Sequence, residues 1–439
     1  MKDYVLGNRI CELRKKKNLT QEELAILLDI SDKSISKWEN GTSKPTIDNL
    51  KKISSIFDIS LDELLELDSK TPKKKIIKKI VLTGGPCAGK TTAMNWIQNC
   101  FQKQGYKVLF IPEAATELIM GGLTPWEVKT NLDFQSTLLD MQLQKEKIFE
   151  EGAKKLPYDK ILIVCDRGVL DNKAYMSKRD FNFLLKSRNL NEVTARENYD
   201  AVFHLVTAAK GAKKYYNLDN AARTESIEEA IKLDDNLISA WTGHSHLRII
   251  DNSTDFDNKM KRLMREIASV LGEPEPYEIE RKFLIDFPDL DYLQSLPNCE
   301  KVQIVQTYLK SEENEEVRIR QRGINGVYTY SKTRKIDVSP IKRIEIENRL
   351  TQEEYINELL NADPTRGQII KDRYCLSYNN QYFEIDIYPF WDYQAIAEIE
   401  LSNENDKISF PDFINVIEEV TDNYDFKNVS IAKQIKKNI

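Results

Sequence analysis

Hydrophobic residues follow three different patterns along the 439-residue chain, and each pattern predicts a different kind of structure. In the first 66 residues they recur every three or four positions between short polar turns, which is the spacing of amphipathic helices. From 76 to 272 short apolar runs alternate with helical patterns, which indicates buried parallel strands in an α/β unit. From 277 to 439 apolar and charged residues alternate with a period of two, which is typical of strands with one charged face.

These patterns predict a multidomain protein. We assign residues 1–66 to an all-α helical unit, 67–75 to a linker, 76–272 to an α/β unit with a doubly wound parallel sheet, 273–276 to a Glu-Pro-Glu-Pro linker, and 277–439 to an antiparallel β-barrel with flanking helices.

Composition narrows the class of protein further. The net charge is −6, yet residues 1–79 hold more basic than acidic residues, so only the first unit is expected to meet a polyanion. No apolar run approaches the length of a membrane span and the first twenty residues are charged throughout, which predicts no membrane partner and no secretion signal. The six scattered cysteines are typical of reduced thiols, so a cytoplasmic location is expected.

The first unit carries the signals of two short helices joined by a tight turn. Thr20-Gln21-Glu22-Glu23 forms a capping box, and Ser31 precedes a second helix that is polar on one face. Residues 19–65 closely resemble the Cro/phage-repressor type of helix-turn-helix family. The resemblance implies DNA as the partner, a tendency to form homo-oligomers, and DNA contacts from Gln21, Ser31, Lys33, Ser34 and Lys37. A helical protein-interaction module with solvated lysines is the alternative.

The second unit opens on a phosphate-binding motif. A β-rich run ends at a stretch that satisfies G-x-x-x-x-G-K-[ST], and a helix follows it. The glycines let backbone N–H groups turn towards phosphate oxygens, the lysine reaches the terminal phosphates, and the threonine offers its hydroxyl to Mg²⁺. The motif therefore predicts an ATP/Mg²⁺ site formed by Gly84, Gly85, Pro86, Cys87, Ala88, Gly89, Lys90, Thr91 and Thr92.

Other charged residues complete this site. The apolar run 160–166 ends in Asp166, placed to hold the metal through water, and Arg167 and Gly168 follow it in a turn that resembles deoxynucleoside and thymidylate kinases. Glu113, just past another strand, is a candidate for the phosphoryl-acceptor site, or alternatively a helix cap. Arg223 is the candidate member of a phosphate-clamping lid. The segment resembles the AAA-type ATPase/kinase family found fused to CYTH domains. Transfer to an acceptor and ATP hydrolysis as a switch both remain open.

The third unit repeats charged residues at a spacing of two. Six sets mix acids and bases, and a single set would mean no more than a solvated strand face. Together they predict a closed antiparallel barrel with a charged interior, because buried charges need partners such as one another, metal ions or a polyanion. The sets are Glu278/Glu280/Lys282, Arg318/Arg320, Arg343/Glu345/Glu347, Lys371/Arg373, Glu384/Asp386 and Glu398/Glu400.

The order of these sets resembles the CYTH, or triphosphate tunnel metalloenzyme, family. The resemblance implies that basic residues bind a triphosphate: Lys282, Arg318, Arg320, Lys332, Arg343, Lys371 and Arg373. It implies that acidic residues bind Mg²⁺ or Mn²⁺: Glu278, Glu280, Glu345, Glu347, Asp386, Glu398 and Glu400. Glu278, Glu280, Lys282 and Tyr308 are the expected catalytic residues.

Tyr308 directs the choice of substrate. A tyrosine in the strand Gln306-Thr307-Tyr308-Leu309, able to bond Lys282, resembles the bacterial short tripolyphosphatases, although it could also be an aromatic residue that fills the tunnel mouth. We therefore expect a phosphoanhydride hydrolase that acts on inorganic tripolyphosphate or another small triphosphate. The rival hypothesis is a transcriptional regulator that senses nucleotide or polyphosphate without significant turnover.

Overall fold

The structure is a computed structural model in which two compact units are recognised, Met1–Ile76 and Ile77–Ile439, and each is described by itself. The described residues are 4–17, 19–40, 42–57, 59, 64, 75–212, 216, 226–272, 279–311, 315–339, 342–401 and 406–437.

The first unit is helical, as predicted. Its described helices are α1 (Tyr4–Lys16), α2 (Gln21–Leu28), α3 (Asp32–Glu39) and α4 (Ile47–Phe57). Thr20 forms the predicted capping box at the start of α2, and Asp29 ends that helix in the left-handed conformation with a φ angle of 56°. This residue turns the chain sharply into α3. Leu24, Leu28, Ile35, Trp38 and Ile53 pack together, which confirms the helix-turn-helix layout.

The second unit begins with a five-stranded sheet. Its strands are β1 (Ile76–Gly84), β2 (Lys107–Ile111), β3 (Lys160–Asp166), β4 (Ala201–Leu205) and β5 (Leu247–Ile250), in the spatial order β2-β3-β1-β4-β5. The pairs β1–β4, β2–β3 and β4–β5 are parallel.

Helices cover both faces of this sheet. They are α5 (Lys90–Lys103), α6 (Ala114–Met120), α7 (Asn131–Lys155), α8 (Lys178–Lys186), α9 (Glu192–Arg196), α10 (Ile227–Trp241) and α11 (Phe256–Leu271), with a 3₁₀ helix at Val169–Tyr175. Successive residues of β1 enter different cores, because Ile80 and Leu82 pack with α5 and α11 whereas Val81 packs with Trp241. The continuous apolar runs thus reflect burial on both faces, and the doubly wound architecture is confirmed.

The rest of the unit is built on a nine-stranded sheet in which neighbouring strands pair antiparallel. Its strands are β6 (Ile279–Asp286), β7 (Cys299–Tyr308), β8 (Glu315–Ile324), β9 (Val327–Ser339), β10 (Lys342–Leu350), β11 (Ile369–Tyr378), β12 (Gln381–Ile387), β13 (Gln394–Leu401) and β14 (Val416–Glu419). The order is β10-β9-β8-β7-β11-β12-β13-β6-β14. Flanking helices are α12 (Leu290–Ser295), α13 (Gln352–Glu358) and α14 (Asn428–Lys437).

This sheet confirms the predicted antiparallel architecture but not its closure. Within the described residues the edge strands β10 and β14 do not pair with each other. Phe283, Leu376 and Ile385 form an apolar core on one face, and the charged sets occupy the other. No helix in the described part of the chain is long and apolar enough to cross a lipid bilayer.

Candidate phosphate-binding sites

The loop between β1 and α5 depends on its glycines. Gly84 and Gly89 have φ angles of 147° and 92°, and Gly89 is the N-cap of α5. A Cβ atom on Gly84 would lie 2.1 Å from the carbonyl oxygen of Leu205, so a larger residue would displace β4. The first N–H groups of α5 have no partner within the helix, and together with the helix dipole they favour an anion at this point. Thr91 and Thr92 are exposed in the first turn.

Two carbonyl oxygens of the loop are held by distant side chains. The Thr207 hydroxyl donates to the carbonyl of Pro86 at 2.5 Å, and the Lys259 ammonium donates to the carbonyl of Ala88 at 3.3 Å. Lys259 also donates to Asn252 Oδ1 at 2.7 Å. These bonds hold the loop from the side of β4 and α11.

Asp234 on α10 is fully buried behind the same loop. It accepts hydrogen bonds from the backbone N–H of Gly85 at 3.0 Å and of Thr207 at 3.1 Å. It also contacts His204 Nε2 and Lys210 Nζ, each at 3.0 Å. Burial alone would raise the pKa of the Asp234 carboxyl, but His204 and Lys210 lower it well below its usual range. The ionised carboxylate therefore ties the loop to the end of β4.

The predicted charged residues meet beside the loop. Burial lowers the pKa of Lys90, and Arg167 acts in the same direction. Burial raises the pKa of Asp166, whose buried Oδ1 has no hydrogen-bond partner within the described residues. Arg167 Nε donates to Glu113 Oε1 at 2.6 Å. Burial would raise the pKa of Glu113, but Arg167 and Lys90 lower it to about 2. Glu113 is thus an ionised partner of Arg167.

Several residues of this site escaped the sequence analysis. Asp171, 1% exposed, accepts from the Thr83 hydroxyl and from the backbone N–H of Gly168 at 2.7 Å. Asp234 and Lys259 were missed as well. No sequence motif identifies Asp234 and Lys259, because each binds residues that are far away in the sequence. Arg223 lies outside the described residues.

The second site is the charged face of the nine-stranded sheet, which we call the inner face. Directly paired residues of antiparallel strands point to the same side. The register pairs Arg318 with Tyr308 and Glu398 with Lys282. It therefore brings most of the predicted set to one face: Glu280, Lys282, Tyr308, Arg318, Arg320, Glu347, Lys371, Arg373, Asp386, Glu398 and Glu400.

Acids and bases of the inner face pair with one another. Asp386 is fully buried and accepts from Lys371 Nζ and from Arg373 Nε at 2.6 Å. Arg373 Nη2 donates to Glu398 at 2.7 Å. Burial lowers the pKa of Lys371 to about 8, against the effect of Asp386. Burial would raise the pKa of Glu398, yet Lys282, Arg373 and Lys371 lower it well below its usual range. The interior is a continuous ion-pair network.

The structure places Lys332 away from this network. Lys332 pairs in register with Ile319, so it lies on the opposite face, where its ammonium contacts Glu358 Oε1 at 2.6 Å. Lys335 pairs with Glu316 and shares the inner face with Arg318. Lys335 was not predicted, because residues 327–335 have no clear apolar alternation that would show which side chains share a face.

Tyr308 is buried on the inner face, but its partner differs from the predicted one. Its hydroxyl accepts from Gln306 Nε2 at 3.0 Å. Lys282 instead contacts Glu398, and Glu280 at 3.2 Å. Burial raises the pKa of Tyr308 to about 12.

One end of the inner face is closed by α14. Tyr308, Ile369 and Ile396 of the sheet pack there against Ile431 and Ala432 of the helix. The opposite end opens on a cavity of about 1140 Å³ that Glu280, Arg320, Glu347, Glu398 and Glu400 line in part.

The resemblance implies a divalent metal at this face, and the donor chemistry suits one, since Mg²⁺ and Mn²⁺ prefer carboxylate oxygens. The positions of the described carboxylates, however, do not form a metal site. Among the described residues no three carboxylate, histidine or cysteine side chains converge on one point as metal ligands would. Glu278 and the side chains of Arg343 and Glu345 lie outside the described residues.

The predicted DNA-contacting residues lie on and before α3. Lys33 and Lys37 are exposed, and Ser31 Oγ lies 2.9 Å from Ser34 Oγ. Gln21 donates to Glu39 Oε2 at 2.7 Å, and Glu39 is also bound by Arg14. Trp38 is buried, as expected.

The geometry thus defines a protein with a helix-turn-helix domain, a P-loop domain and a separate charged sheet. The chain matches the family described as helix-turn-helix over residues 11–64 and the family described as AAA domain over residues 79–259. Through residues 11–64 the chain belongs to the helix-turn-helix family, and the predicted helix-turn-helix and AAA-type modules are confirmed.

Similar proteins share the first of these segments. The HTH-type transcriptional activator BcrR of Enterococcus faecalis is 42% identical over 79 residues, which are 17% of this chain and 39% of the relative. The HTH-type transcriptional regulator ImmR of Bacillus subtilis is 36% identical over 16% of this chain and 55% of its own. Control protein C.MunI of Mycoplasma sp is 41% identical over 13% of this chain and 80% of its own length. The chain therefore spans about half or less of the first two relatives.

Two solved structures are also similar. The P22 c2 repressor protein in complex with a synthetic operator is 33% identical, covering 15% of this chain and 100% of its own, with a TM-score of 0.14. The inorganic triphosphatase NE1496 is 26% identical over 36% of this chain and 94% of its own, with a TM-score of 0.25. TM-scores of this size support no conclusion on fold or activity.

Proposed function

We propose that the inner face binds a linear triphosphate and hydrolyses it with the help of Mg²⁺ or Mn²⁺, while the P-loop binds ATP with Mg²⁺ and the N-terminal unit binds DNA. The observation that carries the proposal is a set of cations on one sheet face, of which Arg318, Lys371 and Arg373 are buried and Lys282 and Arg320 are half-buried. Burying charges is costly unless they are paired, and a polyanion would offer these cations partners in place of the carboxylates.

The cationic and acidic residues of the inner face would have different roles. Arginine forks suit the oxygens of neighbouring phosphates, and each bond would hold the chain of phosphates in line. The carboxylates of Glu280, Glu398 and Glu400 would hold the metal, whose charge offsets that of the phosphates when it is bound. Fixed donors of this kind stabilise charge that develops on a phosphoryl oxygen.

The closed end supports inorganic tripolyphosphate as the substrate. Tyr308 and Ile396 pack on α14 there, which leaves little room for an organic group beyond the cations on that side. We expect a short phosphate chain to occupy the charged stretch by itself. A substrate with a large leaving group could extend only towards the open end.

Phosphate release by the purified full chain tests this proposal. With Mn²⁺ or Mg²⁺ present, tripolyphosphate should yield orthophosphate, and Glu280→Gln should abolish release while ATP still binds. Lys90→Ala is the matched control, because it should weaken ATP binding by about a hundredfold and leave tripolyphosphate turnover unchanged. A wild-type chain that leaves tripolyphosphate intact with both metals would exclude the activity.

A second candidate function is a regulator that only senses these ligands. The helix-turn-helix relatives and the exposed Lys33 and Lys37 favour it. Duplex DNA binding, followed by fluorescence anisotropy with and without tripolyphosphate, separates the two functions. A ligand-dependent change in DNA affinity without phosphate release would support the regulator. The salt dependence of binding should become shallower in a chain carrying Lys33→Ala and Lys37→Ala.

A further inference from the structure

The P-loop domain reaches into the open end of the inner face. Arg248, in β5 of the parallel sheet, pairs through Nη2 with Glu400 on β13. His246, just before β5, lies with Nε2 3.5 Å from Glu347 Oε1 on β10. Both carboxylates belong to the set that would bind a metal. Arg248 and His246 thus approach these carboxylates from outside the nine-stranded sheet.

Arg248 is held in this position. Its side chain is 17% exposed, and its Nε lies 3.4 Å from Glu266 Oε2 on α11. The surrounding contact is extensive: Arg322 on β8 donates to the carbonyl of Gly243 at 2.8 Å, and the Tyr382 hydroxyl donates to the carbonyl of His244 at 3.0 Å. These bonds join the nine-stranded sheet to the P-loop domain close to the strand that carries Arg248.

Each of the three neighbouring carboxylates that would hold a metal is paired with a cation, and for Glu400 that cation is Arg248. Glu400 lies opposite Glu280 in the sheet register, and Glu398 is the next inner-face residue along β13. Glu398 is drawn to Lys282 and Arg373, Glu280 to Lys282, and Glu400 to Arg248. A cation at each carboxylate takes the place that a divalent ion would need, because the two compete for the same oxygens.

We propose that Arg248 is a counter-ion supplied by the P-loop domain, which a divalent cation must displace from Glu400 before the inner face can bind it. The inference rests on the proposed function, since it assumes that Glu400 is a metal ligand. It makes the metal affinity of the sheet depend on a residue of the neighbouring domain. The β5 strand that carries Arg248 ends two residues before Asn252, which bonds Lys259 behind the P-loop.

Mn²⁺ binding to the nucleotide-free full chain tests the proposal, with free Mn²⁺ measured by electron paramagnetic resonance. Sites that disappear in Glu400→Gln are those of the inner face. At these sites Arg248→Ala should bind Mn²⁺ about tenfold more tightly than the wild type, because a competing positive charge is gone. Arg248→Lys keeps the charge and should stay near the wild-type affinity.

Arg281→Ala is the matched control. Arg281 makes a comparable pair with Glu419 at 2.5 Å, on the opposite face of β6, and its loss should leave Mn²⁺ binding unchanged. Arg248→Gln serves as a second variant if Arg248→Ala does not fold.

The outcomes separate the two proposals. Unchanged or weaker Mn²⁺ binding in a folded Arg248→Ala or Arg248→Gln chain overturns the role of Arg248, even where Glu400→Gln removes a site. If Glu400→Gln removes no Mn²⁺ site from the wild type, the proposed metal site itself fails.

Discussion

The P-loop and the inner face both present groups that suit phosphate, yet they are stabilised in different ways. The loop at Gly84–Thr91 is held from behind by hydrogen bonds with Thr207, Asp234 and Lys259. In the proposed function it would bind phosphate through backbone N–H groups, which need no counter-ion, and through Lys90. A nucleotide would not have to break an ion pair to reach these N–H groups.

The inner face neutralises itself instead. Lys371 and Arg373 share Asp386, and Lys282 shares Glu398 with Arg373. A triphosphate and its metal would have to exchange these pairs for new ones, with cations turning to phosphate and carboxylates to metal. One site is thus preorganised by its backbone, whereas the affinity of the other for a ligand would include the cost of opening salt bridges.

The largest effect that sharpens this comparison is expected from Asp386→Asn. The change leaves the buried Lys371 and Arg373 without their shared carboxylate, which should cost about 3–5 kcal/mol of unfolding free energy. Urea denaturation of the full chain measures the loss. Added tripolyphosphate should stabilise the variant more than the wild type, because it restores negative charge.

Asp363→Asn provides the matched control. Asp363 pairs with Arg366 at 3.1 Å in a more exposed position, so its loss should cost less than about 1 kcal/mol. An Asp386→Asn chain as stable as the wild type would contradict the idea of a self-neutralising interior.

A smaller effect should come from Lys259 behind the P-loop. Burial lowers its pKa to about 8, whereas the unfolded chain keeps a pKa of about 10.4. Between these values the unfolded chain binds a proton that the folded chain does not, so the contribution of Lys259 to stability rises with pH, by up to roughly 3 kcal/mol. The stability of the wild type relative to Lys259→Met should therefore increase between pH 7.5 and pH 10.

Urea denaturation at the two pH values measures this difference. Lys261→Met, at an exposed position of the same helix, should show no such dependence. A Lys259→Met difference that stays constant with pH would show that the ammonium is not destabilised by burial.

The smallest effect distinguishes the two faces of β9. Lys335→Ala should weaken tripolyphosphate binding about five- to tenfold, because one cation leaves the inner face. Lys332→Ala removes only the pair with Glu358 on the opposite face and should change nothing. Isothermal titration calorimetry with tripolyphosphate measures the affinity of both variants. Equal losses of affinity would disprove the assigned register of β9.

Much of the architecture could be predicted from local patterns. Capping boxes, apolar periodicity and the G-x-x-x-x-G-K-[ST] motif each depend on residues close together in the chain. The alternation of charged residues likewise predicted which side chains of β6, β8, β11 and β13 lie on the inner face. The prediction was wrong for β9, where Lys332 was assigned to the inner face and Lys335 was overlooked, because polar residues occupy both faces of that strand.

The three modules, the position of the P-loop and the alternation that gathers most acids and bases on one face follow from local sequence patterns. The partners that hold these groups follow from the tertiary fold. Asp234 binds Gly85 across 149 positions, Lys259 binds Ala88 across 171, and Arg248 meets Glu400 from another sheet. Such contacts follow from how the two sheets pack, and a short window of sequence contains no trace of them. The partners of the buried charges were therefore settled by packing rather than by pattern.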